Sequence, residues 1–258
     1  MSVNVFTPGA GKPTIVLVHG AFAESSSWND VVRRLQGEDL PVLAVANPLR
    51  GLEPDAEYLR SVLDHIDGPV VVAGHSYGGT VASEATAGAD NVRALVFVAS
   101  FLLEPGESTG ELAGKFPGGE LGTALVPVPL PAAANSGEDL YIEQSKFRTV
   151  FAADVPEETA ALMAATQRPI AAAALEDKAS QAGWKTIPSW TLVTLEDLAV
   201  PAESQRFMAA RAKSQTVEIG ASHAVTVSEP GAVADLILAA VRETQSIVGA
   251  EYRTAATV

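Results

Sequence analysis

The run Gly74-His75-Ser76-Tyr77-Gly78, followed by Gly79, has residue types and spacing that can do chemistry. Glycines two residues to either side of a serine suit a turn too tight for side chains at those positions. The turn joins an apolar run, Val70 to Ala73, to a run of small residues, Thr80 to Ala87. Strand, sharp turn and helix form the context in which G-x-S-x-G lifts a serine hydroxyl above a sheet and exposes it as a nucleophile. The same turn aims the Tyr77 N–H and a helix N-terminus at any oxyanion that develops beside the serine.

A serine hydroxyl needs a base, and the chain contains only 4 histidines. His65 falls in a helical pattern and reads as a surface residue. His75 lies inside the turn, with its side chain directed away from the serine hydroxyl. His19 ends the first apolar run, upstream of the serine. His223 lies in Gly220-Ala221-Ser222-His223, just past the last strand-like run. A loop at the carboxyl end of a strand is where an imidazole meets a ligand in an open α/β sheet, so His223 is the candidate base. The acid that holds the imidazole tautomer should come between serine and histidine in the chain. Asp197 follows the run Ser189 to Leu195 and precedes Pro201, and Glu196 is its rival. The turn His19-Gly20-Ala21-Phe22 offers a second backbone N–H to the oxyanion, from Ala21, and places Phe22 beside an acyl pocket. This chemistry calls for no metal and no cofactor.

These residues need a scaffold, and the hydrophobic pattern supplies one. Short runs rich in β-branched residues (Thr14 to Val18, Pro41 to Val45, Val70 to Ala73, Ala94 to Ala99) alternate with helical patterns at Trp28 to Leu35, Asp55 to Ile66 and Thr80 to Ala87. The alternation predicts a mostly parallel sheet with helices on both faces. It resumes with a strand at Ser189 to Leu195, a helix at Pro201 to Ala212, a strand at Gln215 to Ile219 and a helix at Pro230 to Thr244. The tail from Ser246 reads as weakly ordered. Between Phe101 and about residue 187 the rhythm breaks. Prolines cluster at 117, 127, 129 and 131, and helical pieces follow. Asp154 reads as the N-cap of a helix reaching Gln167, and Ile170 to Ala182 as a second helix. The expectation is a single domain over residues 1–258 with a helical lid inserted at about 101–187. Because the lid follows a strand at the edge that carries Ser76, it should cover that edge and set substrate preference.

Composition narrows the function further. The chain has 258 residues, a formal net charge of −14 and no cysteine. The acidity disfavours nucleic acid and anionic membrane as partners. The lack of cysteine rules out a disulfide framework and a thiolate nucleophile. Met1 to Lys12 shows no secretory pattern, and no apolar run approaches the ~20 residues of a membrane span, so a cytoplasmic protein is expected. The oligomeric state cannot be read from the sequence.

With these residues in hand, the sequence resembles the α/β-hydrolase superfamily over nearly its whole length. More closely, it is similar to the branch of plant methylesterases, hydroxynitrile lyases and their small bacterial esterase relatives. Val16-Leu17-Val18-His19-Gly20-Ala21, the Gly74 to Gly79 run, Glu196-Asp197 with Pro201 and Gln205-Arg206-Phe207 carry the likeness, together with Ser222-His223-Ala224 and Ser228-Glu229-Pro230. The resemblance implies an α/β-hydrolase fold, an acid at Asp197, a base at His223, and oxyanion donors at Ala21 and Tyr77. Thr194 departs from the pattern, because many hydrolases have glycine there. The implied activity is hydrolysis of the carboxylic ester of a small, largely apolar substrate, through an acyl-enzyme on Ser76. Hydroxynitrile lyase-like chemistry is a competing reading, but lyases of this branch carry a lysine where Ala224 stands and a glutamate where His75 stands. Cofactor-free haloperoxidase or perhydrolase activity would use the same three residues, and a non-enzymatic ligand receptor on this scaffold could retain them.

Overall fold

The computed structural model describes residues 12–131 and 137–255. Residues 1–11, nearly all of the segment expected to carry no secretory leader, lie outside the described residues. The chain opens with strand β1 (Thr14–Val18), a 3-10 turn (Ser25–Trp28), α1 (Asn29–Gly37), β2 (Val42–Val45), α2 (Leu52–Leu63) and β3 (Val70–His75). Next come α3 (Tyr77–Thr86) and β4 (Val92–Val98). An insertion follows, holding α4 (Thr109–Ala113), α5 (Leu121–Ala124), β5 (Leu125–Pro129), β6 (Glu138–Ile142), α6 (Gln144–Phe151), α7 (Glu157–Thr166), β7 (Ile170–Ala171) and α8 (Ala172–Glu176). The chain then returns to β8 (Ser189–Thr194), α9 (Ala202–Arg211), β9 (Gln215–Ile219), α10 (Val225–Ser228) and α11 (Pro230–Ala255). Among the described residues no helix is long and apolar enough to cross a membrane.

The main sheet has the order β2-β1-β3-β4-β8-β9, and every pairing in it is parallel. Strand side chains alternate between faces, and the two cores follow that period of two. Val16, Val18, Val70, Val72, Leu95 and Phe97 pack in one core with α2 and α3. Ile15, Leu17, Val71, Ala73, Ala94 and Val96 pack in the other with α1 and α11. Both faces are therefore covered, which explains why the central strands read as continuous apolar runs.

The strand order also locates the chemistry. From β1 the chain crosses outward to β2, then returns to β3 on the far side of β1. The connections leave in opposite directions, and a crevice opens at the carboxyl ends of β1 and β3. The His19–Phe22 turn and Ser76 flank that crevice, since Val18 pairs with Gly74. Asp197 lies three residues past the end of β8, and His223 four past the end of β9.

The insertion, expected as a helical lid, holds strands as well as helices. It contains a three-stranded antiparallel sheet of order β5-β6-β7. Pro127 and Pro129 sit in β5, an edge strand, where a residue without an N–H is tolerated. The expected helix at Ile170 to Ala182 is instead the short β7 and the single-turn α8. Asp154 caps no helix, because the N-cap of α7 is Pro156 and no side chain bonds to it. Helix α11 reaches Ala255 and so runs into the segment after Ser246 expected to be weakly ordered. Phe101, Leu102, Phe147 and Phe151 of the insertion are buried in the same core as α2 and α3, so this segment shares its apolar interior with the main sheet.

Candidate active site

Ser76 occupies the single residue between β3 and α3, at φ 53° and ψ −130°. A non-glycine residue there costs on the order of 1–3 kcal/mol and persists only where its surroundings enforce it. They do so closely. A Cβ on Gly74 would lie 2.5 Å from Gly79 backbone, and one on Gly78 would lie 2.3 Å from the Val18 carbonyl oxygen. The Ser76 carbonyl accepts from the Gly79 N–H at 3.0 Å and the Ser100 hydroxyl at 2.5 Å. Sequence reasoning missed Ser100, because nothing local marks a serine 24 residues downstream as a brace for the turn.

Ser76, His223 and Asp197 are brought together in one hydrogen-bonded chain. His223 Nε2 lies 2.8 Å from Ser76 Oγ, and His223 Nδ1 lies 2.7 Å from Asp197 Oδ2. All three are buried. Glu196 is exposed on the same loop, and the imidazole bonds to Asp197 instead. Asp197 is surrounded by donors. Oδ1 accepts the Ala199 and Val200 N–H groups at 2.8 Å each. Oδ2 accepts the Thr194 hydroxyl at 2.8 Å and the Gln205 amide at 3.1 Å as well as the imidazole. Thr194, which stands where many hydrolases have glycine, thus supplies a hydroxyl to this cradle, and buried Gln205 bonds to both Thr194 and Asp197.

The histidine loop is clamped at three consecutive residues. The Asp154 carboxylate accepts the Ser222 N–H at 3.0 Å and also the Ser222 hydroxyl. His75 lies 2.8 Å by its Nε2 from the His223 carbonyl. The Phe151 carbonyl accepts the Ala224 N–H at 2.8 Å. Two of these partners, Phe151 and Asp154, belong to the insertion, which therefore holds the imidazole in place as well as covering it. The Phe151 ring also stands edge-on to His223, with centroids 4.8 Å apart.

Ala21 and Tyr77, the two residues expected to offer backbone N–H groups, line the same cavity as Ser76. Tyr77 opens α3, so its N–H has no partner within the helix. Among the described residues the Ala21 N–H meets no backbone carbonyl, whereas the next one, from Phe22, is taken by the Arg168 carbonyl at 3.0 Å. The Tyr77 hydroxyl donates to buried Asp55 at 3.0 Å. Above Ser76 lies a cavity of about 60 Å³. Its walls are Ala21, Phe22, Tyr77, Ala199 and Val200 from the main fold and Phe101, Ala113, Leu121, Phe151 and Leu175 from the insertion. The lining is almost wholly apolar. Phe101 and Leu121 of the insertion thus face the cavity, while Val126 is exposed on β5.

His19 and His75 are both held neutral. Burial is the main cause, and it lowers His19 to about 4 and His75 to about 3. His19 Nε2 accepts the Asn47 N–H, which leaves the proton on Nδ1, 2.9 Å from the Gly20 carbonyl. His75 donates from Nε2, and among the described residues its Nδ1 has no partner. Both groups bind fewer protons folded than unfolded between their lowered values and the ordinary ~6.5, so stability rises with pH across that window. Conversely, unfolding free energy should fall on acidification from pH 6 to pH 5, by on the order of 2 kcal/mol for the pair. Asp55, raised chiefly by burial, acts in the opposite direction. Urea unfolding at a series of pH values checks this, and a stability that is flat between pH 6 and 5 contradicts it.

With the fold and the site in view, comparison with known proteins places the chain. The sequence profile described as the alpha/beta hydrolase family matches residues 15–236. The alpha/beta hydrolase nvfD of Aspergillus novofumigatus is 26% identical over 250 residues, covering 88% of this chain and 95% of that protein. Polyneuridine aldehyde esterase superposes with a TM-score of 0.76 at 21% identity, over 88% of this chain and 98% of that one. A pyrethroid hydrolase from Sphingobium faniae JZ-2 gives a TM-score of 0.72 at 22% identity, over 88% and 96%. The methylesterase MES16 from Arabidopsis gives 0.71 at 18% identity, over 89% and 99%. At these identities the superpositions speak for the shared fold.

Proposed function

This chain belongs to the alpha/beta hydrolase family, and we propose that within it the protein is a serine esterase that cleaves small, uncharged carboxylic esters through an acyl-enzyme on Ser76. The observation that carries this reading is the Ser76–His223–Asp197 chain at the base of an apolar cavity, with 2.8 Å and 2.7 Å links. His223 Nε2 takes the hydroxyl proton as Ser76 Oγ attacks the ester carbonyl. Asp197 keeps the other imidazole proton on Nδ1 and stabilises the imidazolium that forms. The Ala21 and Tyr77 N–H groups receive the negative charge that develops on the carbonyl oxygen. Collapse of this intermediate expels the alcohol, protonated by His223, and leaves the acyl group on Ser76. Water then repeats the cycle with His223 as base, and the carboxylic acid leaves. Each of these steps uses side chains and backbone groups of the chain itself.

The names of the structural neighbours, polyneuridine aldehyde esterase, a methylesterase and a pyrethroid hydrolase, support the same direction. The cavity argues for neutral acyl groups, because a carboxylate among Phe22, Phe101, Leu121 and Phe151 would be desolvated without a partner. A panel of chromogenic esters tests the proposal. Short uncharged acyl esters should turn over, and an ester carrying a free carboxylate on its acyl chain should be at least about a hundredfold slower in kcat/KM. Absence of turnover on every ester, or equal rates for neutral and charged acyl groups, contradicts it.

A further inference from the structure

The cavity over Ser76, at about 60 Å³, cannot hold both halves of an ester with more than a few atoms on each side. Ordinary ligand sites span about 300–1,000 Å³. A second recess of about 310 Å³ lies next to it, open to solvent, and one residue, Phe22, lines both. One wall of this groove carries Glu24, Asp30 and Arg33, and the insertion helix α7 contributes Leu162, Met163 and Thr166. Thr226, three residues past His223, also lines it.

The chain path makes Phe22 a divider. Ala21, immediately before it, is the candidate oxyanion donor, and Ala23 and Glu24, immediately after it, line the groove. Phe22 adopts φ 60°, a left-handed conformation unusual for an aromatic residue. Its N–H is tied to the Arg168 carbonyl in the insertion. Its ring meets Phe151 edge-on, with centroids 6.5 Å apart, and Phe151 in turn meets His223. The backbone is thus held in a strained turn that places a bulky ring one layer from the imidazole and across the boundary between the two recesses.

We propose that the groove on the outer face of Phe22 is the subsite for the alcohol half of the substrate, and that Phe22 sets how large this alcohol is. The proposal rests on the esterase reading above. Its direction follows from the order of bond breaking. The acyl group stays bound to Ser76 after the first step and needs the apolar cavity directly over that residue. The alcohol must depart while the acyl-enzyme persists and needs the recess that opens to solvent. The lining also defines the chemistry of that alcohol. Leu162, Met163 and Val227 offer apolar contact, while the Ser27 and Thr166 hydroxyls already donate to the Glu24 and Leu162 carbonyls and so can only accept from a ligand. Arg33 is already paired with Asp30, and Glu24 adds a negative charge. The groove therefore fits an uncharged, mainly apolar alcohol, in which any polar substituent donates a hydrogen bond, and it disfavours an anionic one.

Two ladders of esters test this. One keeps the acetyl group and enlarges the alcohol from methyl to cyclohexyl, and the other keeps ethanol and lengthens the acyl chain from acetyl to octanoyl. Phe22→Ala should raise the cyclohexyl-to-methyl ratio of kcat/KM about tenfold or more, the scale of a few methylenes' worth of pocket. The octanoyl-to-acetyl ratio should change by much less, since Phe101, Leu121 and Phe151 still bound the acyl cavity when Phe22 is shortened. Leu162→Trp, at a position 64% exposed and so tolerant of substitution, narrows the groove from the other side and should lower the cyclohexyl-to-methyl ratio. If Phe22→Ala does not fold, Leu162→Trp decides the matter alone. An alcohol ratio that neither variant moves, or an acyl ratio that moves instead, overturns the subsite while leaving the esterase reading intact. A wild-type protein that cleaves no member of either ladder overturns the esterase reading, and the subsite with it.

Discussion

Replacing Ser76 with alanine is expected to lower kcat for every ester by roughly 10⁴-fold or more, while leaving the thermal melting temperature close to that of the wild type. The change removes one oxygen and with it the atom that attacks the ester in the proposed mechanism. Backbone donors and cavity remain, so binding survives and the loss falls on kcat rather than KM. The fold survives because the position of Ser76 is held by its neighbours. The close contacts at Gly74 and Gly78, and the bonds from Gly79 and Ser100 to the Ser76 carbonyl, involve no hydroxyl of Ser76. A Ser76→Ala protein free of wild-type contamination that still cleaves esters at near wild-type rates is incompatible with the proposed mechanism.

Asp197→Asn should cost nearly as much, on the order of 10⁴-fold in kcat, because an amide at this position stabilises the wrong imidazole tautomer. The structure makes the substitution harsher still. Oδ1 faces two backbone N–H groups, while Oδ2 faces the imidazole, the Gln205 amide and the Thr194 hydroxyl. Whichever way the asparagine side chain is turned, its NH₂ points at a donor. If the NH₂ faces Nδ1, the imidazole proton moves to Nε2, and the base can no longer accept the serine proton. Glu196→Gln is the matching control, since Glu196 is exposed and its side chain takes no part in the cradle. Steady-state kinetics of the two variants separate the assignments. A larger loss from Glu196→Gln than from Asp197→Asn would reverse them.

The parts of this site that could be read from sequence are those fixed by short-range geometry. Gly74 and Gly78 announce a turn because backbone packs within a Cβ's reach of both, and this demand depends on a few neighbouring residues. His223 could be found because the histidines are few and the others fall in unsuitable places. The sheet was legible because strands covered on both faces are written as short apolar runs. Asp197 and Glu196 stayed as rivals because two adjacent acids on one loop differ only in where the fold turns them. The bond between Asp154 and Ser222 spans 68 residues and has no local signature. Asp154 also precedes Pro156, Glu157 and Glu158, a sequence suited to starting a helix, so its local context pointed to a cap. The alanine run after Ile170 favours helix by propensity, yet pairing of Ile170 and Ala171 with β6 overrides it at the first two residues. The β5 strand was hidden by its prolines, which only an edge position tolerates. Each of these features depends on what a segment meets in space, and partners so far apart along the chain leave no periodicity to detect.

The central claim is that Ser76 is the nucleophile and is activated by its hydrogen-bonded partners, and covalent labelling tests it most directly. The protein should be treated with a serine-directed organophosphate, then analysed by intact mass and by peptide mapping. The account predicts one adduct per chain, carried by the peptide containing Ser76, with loss of esterase activity in step with labelling. It also predicts no adduct on Ser76→Ala, and strongly slowed labelling of Asp197→Asn, whose imidazole no longer removes the serine proton. An adduct on any other residue, or inactivation of Ser76→Ala at the wild-type rate, would contradict it.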